Sequence, residues 1–181
     1  MVELKPLHPS DREQFILDNQ EAFNYGALEE FGRRDDHFEE DGEIISRETI
    51  EASIDGGEAY RIIQDGQPVG GVVIKVEGER GNLELLFVSP KVHSKGIGYA
   101  AWCAVEKLHP EVKVWETVTP YFEKRNIHFY VNRCGFTSWS SSTATILIRM
   151  IRRQGEKRMN NSRTGCSGLK RRCMDRRTKH E

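Results

Sequence analysis

The chain has 181 residues, 37% of them hydrophobic, and a formal charge of -1. That length suits one domain with a real core, and the near-neutral total gives no whole-molecule electrostatic case for nucleic acid or a membrane surface. No apolar run approaches the roughly 20 residues of a membrane span, and the opening MVELKPLHPSDR lacks the apolar centre of a secretory signal.

Cys103, Cys134, Cys166 and Cys173 show no C-x-x-C spacing. A cytoplasmic protein with reduced thiols and no metal site is therefore expected. Val2–Leu7 reads as a first strand. Ser10 with Glu13 forms a capping-box signature, and the helix behind it carries Phe15, Ile16 and Ala22 as far as Ala27 or Leu28. Residues 29–43 are acidic and polar and read as loop or loose helix. A short helix fits Arg47–Ile54, ended by Gly56-Gly57.

Glu58–Gln64 alternates as a strand, and Asp65-Gly66 is a hairpin signal. Val69–Val76 is the return strand, and a turn over Glu79–Asn82 leads into Leu83–Val88. Three consecutive antiparallel strands are expected. Ile97, Ala101, Ala104 and Leu108 then recur at helical spacing up to His109-Pro110. Lys113–Thr117 follows a crossover and is expected to lie parallel to the preceding strand. Thr119-Pro120 resembles a cap with a first-turn proline, opening a helix over Glu123–Arg133 that Gly135 stops.

The informative segment is 83–101, LELLFVSPKVHSKGIGYAA. An apolar strand runs through a glycine-bearing loop into a helix. Such a layout aims unpaired backbone N–H groups and the positive end of a helix dipole at one point, where an anion such as a phosphate or diphosphate fits. Gly96 and Gly98 let main chain approach that anion with no Cβ in the way.

The element order and these local words resemble the GNAT superfamily of acetyltransferases over residues 1–136. The family's acyl-CoA loop, Gln/Arg-x-x-Gly-x-Gly/Ala, is matched by His93-Ser94-Lys95-Gly96-Ile97-Gly98, with His93 in place of the usual Gln or Arg. A second match is Asn126-Ile127-His128-Phe129-Tyr130 closing in Cys134-Gly135-Phe136. The resemblance implies an α/β (α+β) fold with a mixed sheet flanked by helices. The sheet would be antiparallel on its N-terminal side and parallel at a central splayed pair, with altered C-terminal strands.

The resemblance also implies acetyl-CoA as cosubstrate and a small-molecule or peptide amine as acceptor, with a second copy of the chain as a candidate partner. Leu86, Phe87 and Val88 would hold the pantetheine arm. His93, Ser94, Lys95, Gly96, Ile97, Gly98 and Tyr99 would hold the diphosphate, and Asn126 would bond the arm. Amide formation needs an unprotonated amine, a stabilised oxyanion and a proton for the departing thiolate. By resemblance the Val88 N–H would polarise the thioester carbonyl and Tyr130 would protonate the thiolate. Glu84 and Glu116, on the two strands flanking the cleft, would relay the amine's proton. The family's tyrosine lies four residues before the glycine of Gly-Phe, whereas Tyr130 lies five before Gly135. One extra residue in the helix end would restore it. The acidic Asp35, Asp36, Glu39, Glu40 and Asp41 would suit a cationic acceptor.

After Phe136 the chain changes character. Residues 1–148 hold 15 Lys+Arg against 25 Asp+Glu, and residues 149–181 hold 12 against 3. The genetic code offers a cause, one base missing after the Phe136 codon. Permitted codons for Thr137–Thr145 then read HIVEFFNRHH in the neighbouring frame, those for Cys166–Met174 read VFRFEKEMY, and a stop is available at Asp175-Arg176. On that reading the final hairpin is lost and a sheet edge stays unpaired. Thr143–Ile151 supplies one makeshift strand, 152–181 form a basic disordered tail, and activity is impaired. KRRCMDRRTK also resembles a nucleic-acid or nuclear-import patch, the weaker reading.

Two rivals stand beside the acetyltransferase. Gly96-x-Gly98-x-x-Ala101 with Glu116 fits a dinucleotide fingerprint for an NAD-dependent oxidoreductase, but seven residues separate Val88 from Gly96, too many for that tight turn. A non-catalytic CoA-binding module would keep the loop and need neither Tyr130 nor the carboxylates.

Overall fold

The computed structural model describes residues 1–31, 42–92, 96–120, 124–141 and 145–151, with the side chains of 29–31, 120, 139–141 and 145 left aside. Strand β1 is Val2–Pro6. Helix α1 is Arg12–Phe31 and α2 is Arg47–Gly56. Strands β2, β3 and β4 are Glu58–Gln64, Gln67–Glu77 and Arg80–Val88. Helix α3 is Ile97–Leu108, β5 is Val114–Pro120, α4 is Lys124–His128, β6 is Thr137–Ser141 and β7 is Thr145–Ile151. One seven-stranded mixed sheet runs β1-β2-β3-β4-β5-β7-β6.

The meander β1–β4 is antiparallel throughout. Its β2–β3 turn uses Asp65 at φ 52° and Gly66 at φ 80°, the two left-handed residues of a tight hairpin. Against β5, β4 pairs in parallel and only over Arg80–Asn82 with Val114–Glu116. Beyond those pairs the two strands part. Bulges at Ile62/Ile63 and Val73/Ile74 shift the register within the meander.

Two apolar layers clamp the sheet. On one face α1 and α2 pack Phe15, Ile16 and Ile50 on Val73, Leu85 and Phe87. On the other face α3 and the segment after α4 pack Trp102, Val105 and Phe136 on Val72, Leu83 and Trp115. The ends of the first layer are tied by the ion pairs Arg12–Asp55 and Arg47–Glu13, both exposed.

Several local expectations need correction. Ser10 does not cap α1. His8 accepts from the Ser10 N–H at 3.3 Å at the head of a 3-10 turn over Pro9–Asp11, and α1 starts one turn later. The side-chain cap belongs to α2, where the Ser46 hydroxyl accepts from the Thr49 N–H at 3.1 Å. Thr119-Pro120 is the end of β5, not a helix start, because Thr117 and Thr119 continue the buried face that Trp115 begins.

The unpaired edge expected after β5 is not there. Seven register pairs join Val114–Pro120 to β7, and β6 lies outside β7. The reason is alternation: Ile146, Ile148 and Met150 point into the α3-side layer while Leu147 and Arg149 point away. Thr143–Ile151, expected as one strand, gives β7, and Thr137–Ser141 adds β6, so the two form a hairpin. The tail 152–181 lies outside the described residues, as does the acidic stretch Asp35–Asp41.

Candidate active site

Where β4 and β5 part, a cleft of about 410 Å³ opens. It crosses the sheet. Leu86 and Val88 enter it from the α3 side, where they pack with Ile97 and Ala101. Phe87 enters it from the α1 side, where its ring meets that of Phe15 edge-on at 5.0 Å. A strand that sends successive side chains to opposite faces thus gives the cleft two mouths.

The α3-side mouth is built from a helix end. Gly96 is the N-terminal cap of α3 at φ 72° and ψ 12°, with no side-chain hydrogen bond to the first turn and no acidic residue in it. Left-handed backbone of this kind favours glycine. The Ala100 N–H is the first to bond back, to the Gly96 carbonyl at 3.0 Å. The amides of Ile97 and Gly98 precede it and have no intrahelical acceptor. A Cβ on Gly98 would stand 3.4 Å from the Phe129 ring and 3.8 Å from a Val88 methyl.

The opposite wall is the helix that α4 begins. Arg125, Asn126, His128, Phe129, Tyr130 and Arg133 all line the cleft. From Phe129 to Cys134 the helix widens into a π turn, in which the Gly135 N–H bonds the Tyr130 carbonyl five residues back. The Phe136 N–H reaches the same carbonyl at 3.0 Å. Gly135 closes the turn at φ 82°. A π turn holds one residue more than an α turn. This is the extra residue that the spacing of Tyr130 and Gly135 asked for. Tyr130 is buried, 8% exposed, between the rings of Phe129 at 5.2 Å and Phe136 at 5.6 Å. The Arg133 guanidinium lies over the Tyr99 ring, 5.9 Å from its centre.

Of the residues singled out in the sequence, the cleft gathers Leu86, Phe87, Val88, Gly96, Ile97, Gly98, Tyr99, Asn126 and Tyr130. His93, Ser94 and Lys95 lie outside the described residues. Glu84 and Glu116 are not in the lining. Glu84 is exposed on β4. Glu116 faces Arg149 across the β5–β7 ladder, and the Arg149 Nε donates to its carboxylate at 2.6 Å. Sequence reasoning missed the α1 wall, where Ala22, Phe23 and Gly26 line the second mouth. Their i, i+1, i+4 spacing is the only signal, and it is shared by any buried helix face. No group of three or more His, Cys, Asp or Glu side chains that would hold a metal ion occurs among the described residues.

The sheet is mixed and splayed at its one parallel pair, with a glycine-capped helix aimed into the splay. Residues 16–136 match the acetyltransferase (GNAT) family, and the chain belongs to it. The uncharacterized protein YrkN of Bacillus subtilis (strain 168) is 47% identical over 131 residues, covering 70% of this chain and 68% of YrkN. The PaiA N-acetyltransferase of Thermoplasma acidophilum, solved in complex with coenzyme A, superposes with a TM-score of 0.66 at 16% identity over 83% of this chain and 99% of that one. A GNAT acetyltransferase of Elizabethkingia anophelis with acetyl-CoA bound gives a TM-score of 0.56 at 16% identity, over 83% and 97%.

Proposed function

We propose that this protein is an N-acetyltransferase that moves the acetyl group of acetyl-CoA to a primary amine. The observation that carries the reading is the cleft itself, which joins the uncapped N-terminus of α3 to Tyr130 through the gap between β4 and β5. The cosubstrate supplies an activated thioester; the chain supplies position and polarity.

The Ile97 and Gly98 amides, with the dipole of α3, hold the diphosphate. His93, Ser94 and Lys95 belong to the same loop and share that role by resemblance. The main chain of Leu86–Val88 and the Asn126 amide hold the arm, and the Val88 N–H polarises the thioester carbonyl. The amine nitrogen attacks that carbonyl carbon, the C–N bond forms and the C–S bond breaks. Tyr130 gives its proton to the departing thiolate and is reprotonated from water. The ammonium loses one proton to water before attack, and the nitrogen gives a second to water as the amide forms, which balances the proton that Tyr130 passes to the thiolate. Glu116 is already bonded to Arg149, and Glu84, exposed on β4 outside the cleft lining, can receive these protons only through intervening water.

Thermal stabilisation tests the reading. Acetyl-CoA at 100 times its dissociation constant should add about 2.7 kcal/mol, NAD should add nothing, and free CoA should appear when amines are supplied. No shift with acetyl-CoA would sink it. Binding without CoA release across an amine panel would favour a non-catalytic CoA-binding module.

A second reading concerns the C-terminus, and the change from 15 Lys+Arg against 25 Asp+Glu in residues 1–148 to 12 against 3 in 149–181 favours it. The segment from Thr137 onward is the product of a shifted frame, and activity is impaired relative to a frame-corrected chain. Sequencing the coding DNA in independent isolates tests this: an intact frame in all of them overturns it.

A further inference from the structure

The gap between β4 and β5 has a root, and three features meet there. The parallel ladder ends at Asn82 and Glu116. Just beyond it the register of β4 against β3 slips: Leu83 pairs with Ile74 and Leu85 with Val73, which leaves Glu84 over as a bulge. The slip turns β4 over, because side chains alternate with a period of two. Leu83 packs in the α3-side layer and Leu85 in the α1-side layer, two residues apart on one strand. Leu86 and Val88 are thereby sent to the α3 mouth and Phe87 to the other.

The third feature is a side chain. One residue past the ladder on β5, the Thr117 hydroxyl donates to the Leu83 carbonyl at 2.8 Å. Thr117 is buried, 5% exposed. In a ladder continued past Asn82, a β5 amide would take that carbonyl. We propose that the Thr117 hydroxyl ends the β4–β5 ladder and so fixes the gap that the acetyl-CoA arm enters, which makes Thr117 a positioning residue; the ligand named here rests on the acetyltransferase reading above. Threonine suits the task. It is β-branched and stiff, so its methyl stays in the apolar layer while its hydroxyl turns to the neighbouring strand. Valine has the same shape and no donor. A buried carbonyl is rarely left unbonded. Without the hydroxyl, Leu83 must take another partner, and the main-chain donors on that side are the next amides of β5. Zipping further would draw β5 toward Leu85 and Leu86 and narrow the opening.

Thr117→Val removes the donor and keeps the shape, whereas Thr117→Ser keeps the donor and loses the methyl. The dissociation constant of acetyl-CoA for the full chain, titrated well below each melting temperature, should rise at least fivefold in Thr117→Val and stay within twofold in Thr117→Ser. Ile50→Ala, fully buried under α2 and outside the cleft lining, should lower the melting temperature at least as much and leave the constant within twofold. A lower melt in Thr117→Val with an unchanged constant is what a merely structural bond gives, and it overturns the proposal. So does an equal loss of affinity in Thr117→Ser or in Ile50→Ala. Thr117→Ala carries the same expectation should Thr117→Val not fold. A ligand-free crystal structure of the Thr117→Val chain reads the gap directly. Pairing of β4 with β5 beyond Asn82 and Glu116 is expected, and pairing that still ends there overturns the proposal. If acetyl-CoA fails to bind the unmodified chain while that pairing lengthens in the variant, the acetyltransferase reading fails and the role of Thr117 stands.

Discussion

The two mouths of the cleft are built by different means. On the α3 side the wall is largely main chain: a left-handed Gly96, the first turn of α3, and the end of β4 that has parted from β5. On the α1 side it is made of side chains from a helix more than 60 residues earlier in the chain, set against one ring of β4. Main-chain recognition tolerates almost any neighbouring side chain but needs glycine at particular points. Side-chain recognition leaves the backbone ordinary and writes its specificity in residues that any amphipathic helix would also carry. One wall is therefore a property of the fold and the other a property of this chain.

The sharpest way to break the comparison is at Gly98. A tryptophan there meets Phe129 and Val88, both within 4 Å of the new Cβ. Loss of the acetyl-CoA thermal shift is expected, with amine binding irrelevant to the result; an unchanged shift counts against the cradle. Next in size is Tyr130→Phe. It should lower kcat about 100-fold, the low end for a lost general acid. Acetyl-CoA binding should be nearly unchanged, because the ring contacts to Phe129 and Phe136 survive.

A third test moves to the C-terminal hairpin. Ile148 is fully buried in the same layer as Trp102 and Trp115. Ile148→Ala should cost about 2–5 kcal/mol in a denaturant melt. Little or no change would mean that β7 does not complete the core. The smallest expected effect is in the clamp between α1 and α2. The Arg47 guanidinium holds the Glu13 carboxyl below its usual range, and Arg12 does the same for Asp55. A depressed carboxyl stabilises the fold above its unfolded value and loses that contribution as pH falls through the folded one. Acidification below about pH 4 should therefore loosen α1, and Glu13→Gln with Asp55→Asn should flatten that part of the pH profile. As both carboxylates are exposed, the change should be slight.

Much of the fold was legible because local chemistry spoke for it. The hairpin at Asp65-Gly66 was readable from two residues, and both adopt positive φ. Gly135 was readable as a helix stop and is one. Gly96 marked the start of α3 for the same reason. What misled were signals with two outlets. Thr119-Pro120 reads equally as a helix entry or a strand end, and burial of Thr119 decided for the strand. Ser10 and Glu13 have capping-box spacing, yet Pro9 opens a 3-10 turn first. The segment after Phe136 opens on a Ser/Thr-rich run, and its pairing with β5 depended on Ile146, Ile148 and Met150 alternating toward a layer already formed.

The order of strands and helices, the glycine-capped start of α3, and the residue types of the late helix follow from neighbours in the chain, because backbone conformation and helix dipoles are set within a few residues. The tertiary structure alone decided that a π turn carries Tyr130 into the cleft, that Arg149 takes Glu116, and that α1 forms the second mouth. Each of those outcomes depends on contacts between segments far apart in sequence, whose meeting is set by how the layers close.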